Sequence, residues 1–144
     1  MPDILHDFPV LTTREKAFEA VSTPEGLEKW WTRTAAGEPR VGAEWELYFD
    51  TGFDWRARVS AIDADRRIEW EITRADADWM GTRVAIELTD HPGGLVWVRF
   101  SHTGWREPDE HFRISSYCWA MYLRLLKHWL QRGETVPYGR RLEI

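Results

Sequence analysis

The sequence predicts an α+β fold in which a curved antiparallel sheet of about six strands wraps around one long C-terminal helix, with two short helices after the first strand. Three observations predict this fold. A helical period extends from about Asp109 to Arg132, a period of two recurs over residues 43–88, and the links between these segments are short. A chain of 144 residues suits one core, so we expect residues 1–144 to form a single domain.

The first elements are predicted from alternating polarity and from a helix start signal. Ile4–Leu11 alternates between apolar and polar residues like a short strand. Thr12 and Glu15 have the spacing of a capping box, in which each side chain bonds the backbone of the other residue. This pair predicts a short helix that extends to Val21.

A second short helix is predicted to follow directly. Thr23 is a favourable N-cap, and Pro24 suits the first helical position because its fixed backbone angle is already helical. The next segment, Thr32–Gly42, contains two glycines and a proline, which are typical of irregular structure. We therefore expect this whole segment to be a loop.

Four segments with a period of two predict antiparallel strands with one apolar face each. The next strand, Leu95–Thr103, begins with apolar residues on both faces. We therefore expect it to be covered on both sides or to lie at a dimer contact. The apolar faces of the first four strands comprise Ala43, Trp45, Leu47 and Phe49, then Phe53, Trp55, Ala57 and Val59, then Ile68, Trp70 and Ile72, and then Val84, Ile86 and Leu88.

The long C-terminal helix is amphipathic, but its apolar side is not purely aliphatic. Ser115, Cys118 and Tyr122 lie near the middle of this side, where a packed core favours leucine, isoleucine and valine. Hydroxyl and thiol groups are better tolerated in the wall of a cavity. The apolar side is predicted to contain Cys118, Tyr122, Leu125, Leu126 and Trp129, with Trp119 at its edge.

Composition and charge argue against several classes of function. The chain has 24 acidic and 19 basic residues and a net charge of −5, which argues against nucleic acid as the main partner. Its single cysteine excludes an internal disulfide, and the N-terminus lacks the pattern of a signal peptide. No run approaches the roughly 18 apolar residues of a membrane span. We therefore expect a cytoplasmic protein.

No motif predicts a metal ion, a cofactor or a catalytic centre. The sequence lacks a Gly-rich phosphate loop between a strand and a helix, and it lacks the G-x-S-x-G turn of hydrolases. We therefore expect no bound metal or cofactor. The five histidines, which lack ligand spacing with cysteine or carboxylates, are His6, His91, His102, His111 and His128.

Two stretches resemble a known superfamily. KAFEAVSTPEGLEKWW, residues 16–31, lies between a predicted strand and a Gly/Pro loop, and it resembles the helix-grip superfamily called SRPBCC, START-like or birch-allergen-like. WAMYLRLLKHWLQRGETVPYG, residues 119–139, is similar to the final helix of small bacterial proteins related to the activator of heat-shock-protein ATPase. The resemblance covers essentially the whole chain. It implies a deep apolar cavity between helix and sheet, which in superfamily members binds lipids, polyketides, hormones or other apolar molecules.

The leading hypothesis is a non-enzymatic pocket for a small hydrophobic ligand, such as a lipid, a polyketide or an aromatic compound. The three inward tryptophans of the sheet either form an aromatic wall or fill the groove. Tyr122 bonds either the ligand or a protein group, and Trp79 and Trp105, in predicted loops, are possible rim residues. The expected lining residues are Trp45, Leu47, Trp55, Trp70, Ile86, Phe100, His102, Ser115, Cys118, Trp119, Tyr122 and Leu126.

Two other hypotheses stay open. An enzyme of the cyclase or hydrolase type, which the resemblance also implies for a few members, would use His102 or His6 as a general acid/base, although protein groups could satisfy either ring. Cys118 is expected to pack as a small hydrophobic residue. The other hypothesis is an interaction module, either a chaperone accessory or a dimer through Leu95–Phe100, so we expect a monomer or a homodimer.

Overall fold

The computed structural model describes all 144 residues and confirms the α+β fold. The elements in chain order are β1 (Ile4–Leu11), α1 (Arg14–Ser22), α2 (Pro24–Glu28), β2 (Thr34–Ala36), β3 (Glu44–Tyr48), β4 (Asp54–Asp63), β5 (Arg67–Arg74), β6 (Arg83–His91), β7 (Leu95–Thr103), α3 (Glu110–Arg132) and a C-terminal 3₁₀ helix (Tyr138–Glu143). All seven strands form one antiparallel sheet in the order β1-β7-β6-β5-β4-β3-β2.

The inner face of the sheet carries the apolar positions that the period of two predicts, except that Phe53 lies in the turn before β4 and is 46% exposed. On β5, Ile68, Trp70 and Ile72 are fully buried, whereas the residues between them are partly exposed. The same alternation holds on β7, where Val96, Val98, Phe100 and His102 face inward. These side chains and those of α1, α2 and α3 form a single core of 30 buried residues.

One strand lies inside a segment that the sequence predicts to be a loop. β2 pairs with β3, with Ala35 opposite Leu47, so the prediction of a loop over all of Thr32–Gly42 is wrong and the sheet has one strand more than expected. Three residues are too few for a period of two to be detected. This strand forms because β3 offers an unpaired edge, which no local sequence pattern indicates.

The first helix begins one residue later than the predicted capping box. Thr13 is the N-cap, and its hydroxyl accepts the N–H of Lys16 at 3.2 Å. The predicted box of Thr12 and Glu15 is therefore wrong. Lys16 occupies the position at which a capping box needs an acceptor side chain, so the cap is one-sided.

The predicted start of the second helix is confirmed, and a glycine brings this helix close to α1. The Thr23 hydroxyl accepts the N–H of Gly26 at 3.0 Å. A Cβ at Gly26 would lie 2.7 Å from the Cα of Ala20, so only glycine allows the two backbones to approach this closely. The indole N–H of Trp30 then donates to the Ala20 carbonyl at 2.9 Å, which directs the end of α2 into the core.

The long helix α3 is capped at both ends. The Asp109 carboxylate accepts the N–H of Phe112 at 3.0 Å, and Gly133 ends the helix in the left-handed conformation with φ of 66°. Trp119 lies in the middle of the buried face and not at its edge as predicted, because Cys118 and Trp129 are only half-buried. The buried side chains of α3 are Ser115, Trp119, Leu123, Leu125 and Leu126. None of the helices is long and apolar enough to cross a membrane.

Arg141 in the 3₁₀ helix ties the C-terminal segment to the end of α2. Its buried guanidinium donates to the carbonyl oxygens of Glu28 at 2.8 Å, Trp31 at 3.2 Å, Thr32 at 3.4 Å and Val136 at 3.0 Å. The carbonyls at the end of a helix lack partners within the helix, so a planar guanidinium with five donors suits this site. The clamp also holds the backbone that carries Trp31.

We expect Arg141→Ala to lower the free energy of unfolding by about 3 kcal/mol, because several buried carbonyls lose a charged donor. Arg141→Lys should recover only part of this loss, since an ammonium group cannot reproduce the fork of donors. Urea denaturation measures both effects, with Arg140→Ala at a neighbouring exposed position as the control. Equal stability of the Arg141→Ala and Arg140→Ala variants would show that the clamp contributes nothing.

Candidate functional site

A chain of hydrogen bonds joins α3 to the sheet through His102. The Trp119 indole N–H donates to Nδ1 of His102 at 3.1 Å, and Nε2 of His102 lies 2.8 Å from Oγ1 of Thr82. The Thr82 hydroxyl in turn donates to the carbonyl of Trp79. Because an indole can only donate, Nδ1 is the acceptor and the His102 proton resides on Nε2. Every member of the chain is thus satisfied.

His102 is held neutral by its surroundings. Burial disfavours the imidazolium and, together with the nearby charge of His111, lowers the pKa of His102 to about 3. Proton uptake at Nδ1 would also break the bond from Trp119. Both ring nitrogens are occupied and the ring does not bind a proton near neutral pH, so His102 has no atom available for general acid–base chemistry. Of its two possible roles, the geometry favours a histidine that protein groups satisfy.

Large side chains fill the central part of the groove between α3 and the sheet. The rings of Trp45 and Trp70 contact each other nearly at right angles, with centroids 5.7 Å apart, and the Trp45 N–H donates to the Glu38 carbonyl at 2.8 Å. These two inward tryptophans therefore occupy the groove and do not line an open cavity. The other predicted lining residues that are fully buried in the core are Leu47, Ile86, Phe100, Trp119 and Leu126.

Trp79 and Trp105 lie inside the structure, so the expectation that they form a rim is wrong. The ring of Trp79 is 4.4 Å from His102, and its N–H donates to the Ser115 hydroxyl at 3.2 Å. The Trp105 ring is 4.8 Å from His102, and its buried N–H has no hydrogen-bond partner. The loop between β5 and β6 thus folds back into the groove, where the Ser115 hydroxyl accepts a bond from a tryptophan.

Five aromatic side chains form a closed ring at one end of the groove. Consecutive ring centroids are between 4.6 and 6.0 Å apart, which is the usual range for aromatic pairs. The third member in chain order, Trp55, is partly exposed, and the exposed Phe53 lies 6.3 Å from it. The ring therefore extends from the core to the surface at the β3–β4 turn. We refer to it as the aromatic cluster, which comprises Trp31, Phe49, Trp55, Trp79 and Trp119.

Two half-buried side chains of α3 lie beside the aromatic cluster. The ring of Tyr122 is 6.2 Å from that of Trp119, and its hydroxyl has no hydrogen-bond partner in the chain. Burial raises the pKa of Tyr122 to about 12, so the phenol is neutral and can both donate and accept. Burial also raises the pKa of the Cys118 thiol, which makes Cys118 a poor nucleophile near neutral pH.

The two remaining histidines near α3 differ in their contacts. Nε2 of His6 is 3.4 Å from Oγ of Ser116, on the side of α3 that packs against β1. His111, near the start of α3, has its Nδ1 2.6 Å from a carboxylate oxygen of Asp78. His111 is absent from the predicted site, although it precedes Ser115, Cys118 and Tyr122 by four, seven and eleven residues and so lies on the same helical stripe.

Three members of the aromatic cluster were also absent from the predicted site. Phe49 extends the alternating apolar face of β3 and could have been included from that pattern. Trp31 lies three residues beyond the end of α2, so helical periodicity gives no indication of its direction. Trp79 lies in a loop, and its inward direction depends on tertiary contacts such as the hydrogen bond to Ser115.

An antiparallel sheet packed on a long C-terminal helix, with two short helices after the first strand, defines the helix-grip fold of SRPBCC proteins. Residues 11–131 match the family model described as "Activator of Hsp90 ATPase homolog 1-like protein". The chain therefore belongs to this family, as the resemblance of residues 16–31 and 119–139 predicted. No curated protein sequence matches the chain.

Solved structures agree with this assignment. The Aha1 dimer from Colwellia psychrerythraea is 28% identical, with a TM-score of 0.85 over 93% of this chain and 99% of that one. Protein MLL2253 from Mesorhizobium loti is 20% identical, with a TM-score of 0.80 over 92% and 99%. DynU16, a protein of the dynemicin biosynthetic locus, is 16% identical, with a TM-score of 0.77 over 94% of this chain and 50% of that one. The similarities to MLL2253 and DynU16 show a shared fold only.

The neutral state of His102 makes a specific prediction about acid stability. Between pH of about 6.5 and 3 the unfolded chain binds a proton that the folded chain does not, so stability falls as the pH is lowered through this range, by at most about 1.4 kcal/mol per pH unit. We expect the wild-type protein to lose about 1–2 kcal/mol more than His102→Gln between pH 7 and 5, where few carboxylates titrate.

Urea denaturation at the two pH values measures this difference. Glutamine is a suitable replacement because its carbonyl can accept from Trp119 while its amide donates to Thr82. Nitrogen NMR should show His102 in the Nε2–H tautomer at both pH values. A titration of His102 near pH 6.5 would contradict the proposed hydrogen-bond chain.

Proposed function

We propose that this chain binds a small, flat, apolar molecule at the mouth of the groove, between α3 and the β3–β4 turn. The observation that carries the proposal is the aromatic cluster, which is continuous from the buried Trp119 to the partly exposed Trp55. A flat ring placed against Trp55 would add one more aromatic contact to the tilted and edge-on contacts that Trp55 already makes with Trp79 and Phe49. Aromatic contacts of this kind contribute beyond the area that they bury.

Polar groups at the same place support the proposal. Binding pockets are typically apolar with a few convergent polar atoms, and the free hydroxyl of Tyr122 is such an atom. The hydroxyl of this half-buried side chain has no protein partner and is available to a ligand. Among the classes considered from the sequence, an aromatic compound or polyketide fits these features better than a flexible acyl chain.

We expect naphthalene and related flat aromatic compounds to bind and to quench tryptophan fluorescence, while saturated acyl compounds of similar size bind more weakly. Trp55→Ala should weaken binding roughly tenfold or more, because the ligand loses a large apolar contact. Isothermal titration calorimetry measures the affinities, and Tyr117→Ala, at an aromatic position of α3 that is 78% exposed, is the matched control. Absence of both quenching and heat with every class of compound would refute the proposal.

A second proposal concerns self-association through the outer face of β1 and β7. Pro9 lies opposite Trp97 and Leu11 lies opposite Leu95, so apolar side chains form a continuous patch on the face turned away from α3. Within this patch, Leu11 is 59% exposed. Exposed apolar patches of this kind mark interaction surfaces, and the structure from Colwellia psychrerythraea is described as a dimer. We propose that a second copy of this chain covers the patch.

The free edge of β1 is less suited to dimer formation by strand pairing than the outer face of β1 and β7 is to face-to-face contact. The N–H of Leu11 donates to the Gln131 side chain of α3 at 2.8 Å and is therefore not available for a neighbouring strand. Pro9 lies two residues earlier on the same edge of β1, and as a proline it has no backbone N–H to donate. The free edge thus lacks two of the donors that a continuous intermolecular sheet needs.

Light scattering after size-exclusion chromatography should give about twice the monomer mass of 17.0 kDa for the wild-type protein. Leu11→Lys should shift the mass towards that of the monomer, because a charge would be buried in the contact. Leu142→Lys, at an exposed apolar position far along the chain, is the control. A wild-type protein that stays at 17.0 kDa at every concentration would exclude the dimer.

A further inference from the structure

The pair formed by Asp78 and His111 lies at the mouth of the groove and is not explained by the core. The two side chains are 32% and 35% exposed, and they join the loop between β5 and β6 to the first turn of α3. The His111 ring is 6.3 Å from that of Trp79, a member of the aromatic cluster, and 5.9 Å from that of Trp105. A ligand stacked on the cluster would therefore have this pair beside it.

The pair fixes which nitrogen of His111 is available. An ionised carboxylate can only accept, so the contact of 2.6 Å places the His111 proton on Nδ1. In the neutral ring Nε2 is then an acceptor, and it has no hydrogen-bond partner in the chain. This arrangement differs from that of His102, whose two nitrogens are both occupied by protein groups.

A donor without a partner belongs to a neighbouring ring, that of Trp105, whose centroid is 5.9 Å from that of His111. The N–H of Trp105 is buried without a partner, and the Trp105 ring stands nearly perpendicular to that of His111, at 88°. One ligand group that donates to His111 and accepts from Trp105 would satisfy both. A hydroxyl group has this combination, whereas an ether can only accept and a hydrocarbon can do neither.

The position of His111 along α3 also relates it to the free hydroxyl of Tyr122. The two residues are eleven positions apart, which places them on the same face of the helix with a separation of about 16 Å along the axis. The stripe of α3 thus has an unpaired polar group at each end, and between them lie Cys118 and the Ser115 hydroxyl, which already accepts from Trp79. Such a stripe suits an elongated ring system with a polar substituent at its end.

We propose that His111, held by Asp78, accepts a hydrogen bond from an aromatic hydroxyl of the ligand, so that this protein selects phenolic compounds over their ethers and parent hydrocarbons. This inference rests on the proposed function, because it assigns the substituent that the ligand carries at the aromatic cluster. Asp78 acts as a positioning residue that sets the tautomer, and Trp105 supplies the donor to the hydroxyl oxygen.

The test compares 2-naphthol, 2-methoxynaphthalene and naphthalene by equilibrium dialysis at pH 8. These compounds share one ring system and differ in whether the substituent can donate, only accept, or do neither. We expect the wild-type protein to bind 2-naphthol roughly 3- to 10-fold more tightly than 2-methoxynaphthalene. In His111→Phe this ratio should fall to about 1, because the ring shape is kept and the acceptor is lost.

His128→Phe, on the exposed side of the same helix, is the matched control and should keep the wild-type ratio. If naphthalene binds but the wild-type ratio is about 1, the inference is wrong and the proposed function stands. If none of the three compounds binds, both fail. If His111→Phe lowers stability but keeps the ratio, the pair only joins the loop to α3, and the inference is likewise overturned.

Discussion

The hydrogen bond from the Trp119 indole to Nδ1 of His102 fixes the long helix against the sheet. It requires a neutral ring whose single proton is on Nε2, and this N–H donates to the Thr82 hydroxyl oxygen. The Thr82 hydroxyl then bonds the carbonyl of Trp79, which positions the loop between β5 and β6. One buried imidazole thereby orients elements from three parts of the chain. The aromatic cluster exists because Trp119 and Trp79 are both held by this chain of bonds.

The tryptophans also determine how much empty space the fold contains. A dry apolar cavity of about 300 Å³ would cost roughly 7 kcal/mol at about 24 cal/mol per Å³, which is comparable to the whole stability of a domain. Indole rings such as Trp45 and Trp70 fill this volume in the present chain and stabilise it without a ligand. The proposed ligand site therefore lies at the mouth of the groove, where the side chains of Trp55, Tyr122 and His111 are only partly buried.

The sequence was sufficient for the parts of the fold that depend on periodicity. The alternating faces of β3 to β7 and the amphipathic face of α3 repeat over many residues. A single residue that departs from the pattern therefore does not change the predicted strand or helix. The strand β2 depends on the free edge of β3, and the one-sided cap at Thr13 depends on a shift of one residue. The site was predicted less completely, since the direction of Trp79 and the tautomers of His102 and His111 are set by contacts between residues far apart in the chain.

The clamp at Arg141 has a consequence for the growing polypeptide. Its bonds to Glu28, Trp31 and Thr32 join residues 109 to 113 positions apart, and β1 finds its only strand partner in β7. Contacts of such long sequence separation form late, after most of the chain has been made. Until then the indoles of the inner face have no helix above them. During synthesis this tryptophan-rich surface is therefore the part of the nascent chain most in need of protection from aggregation.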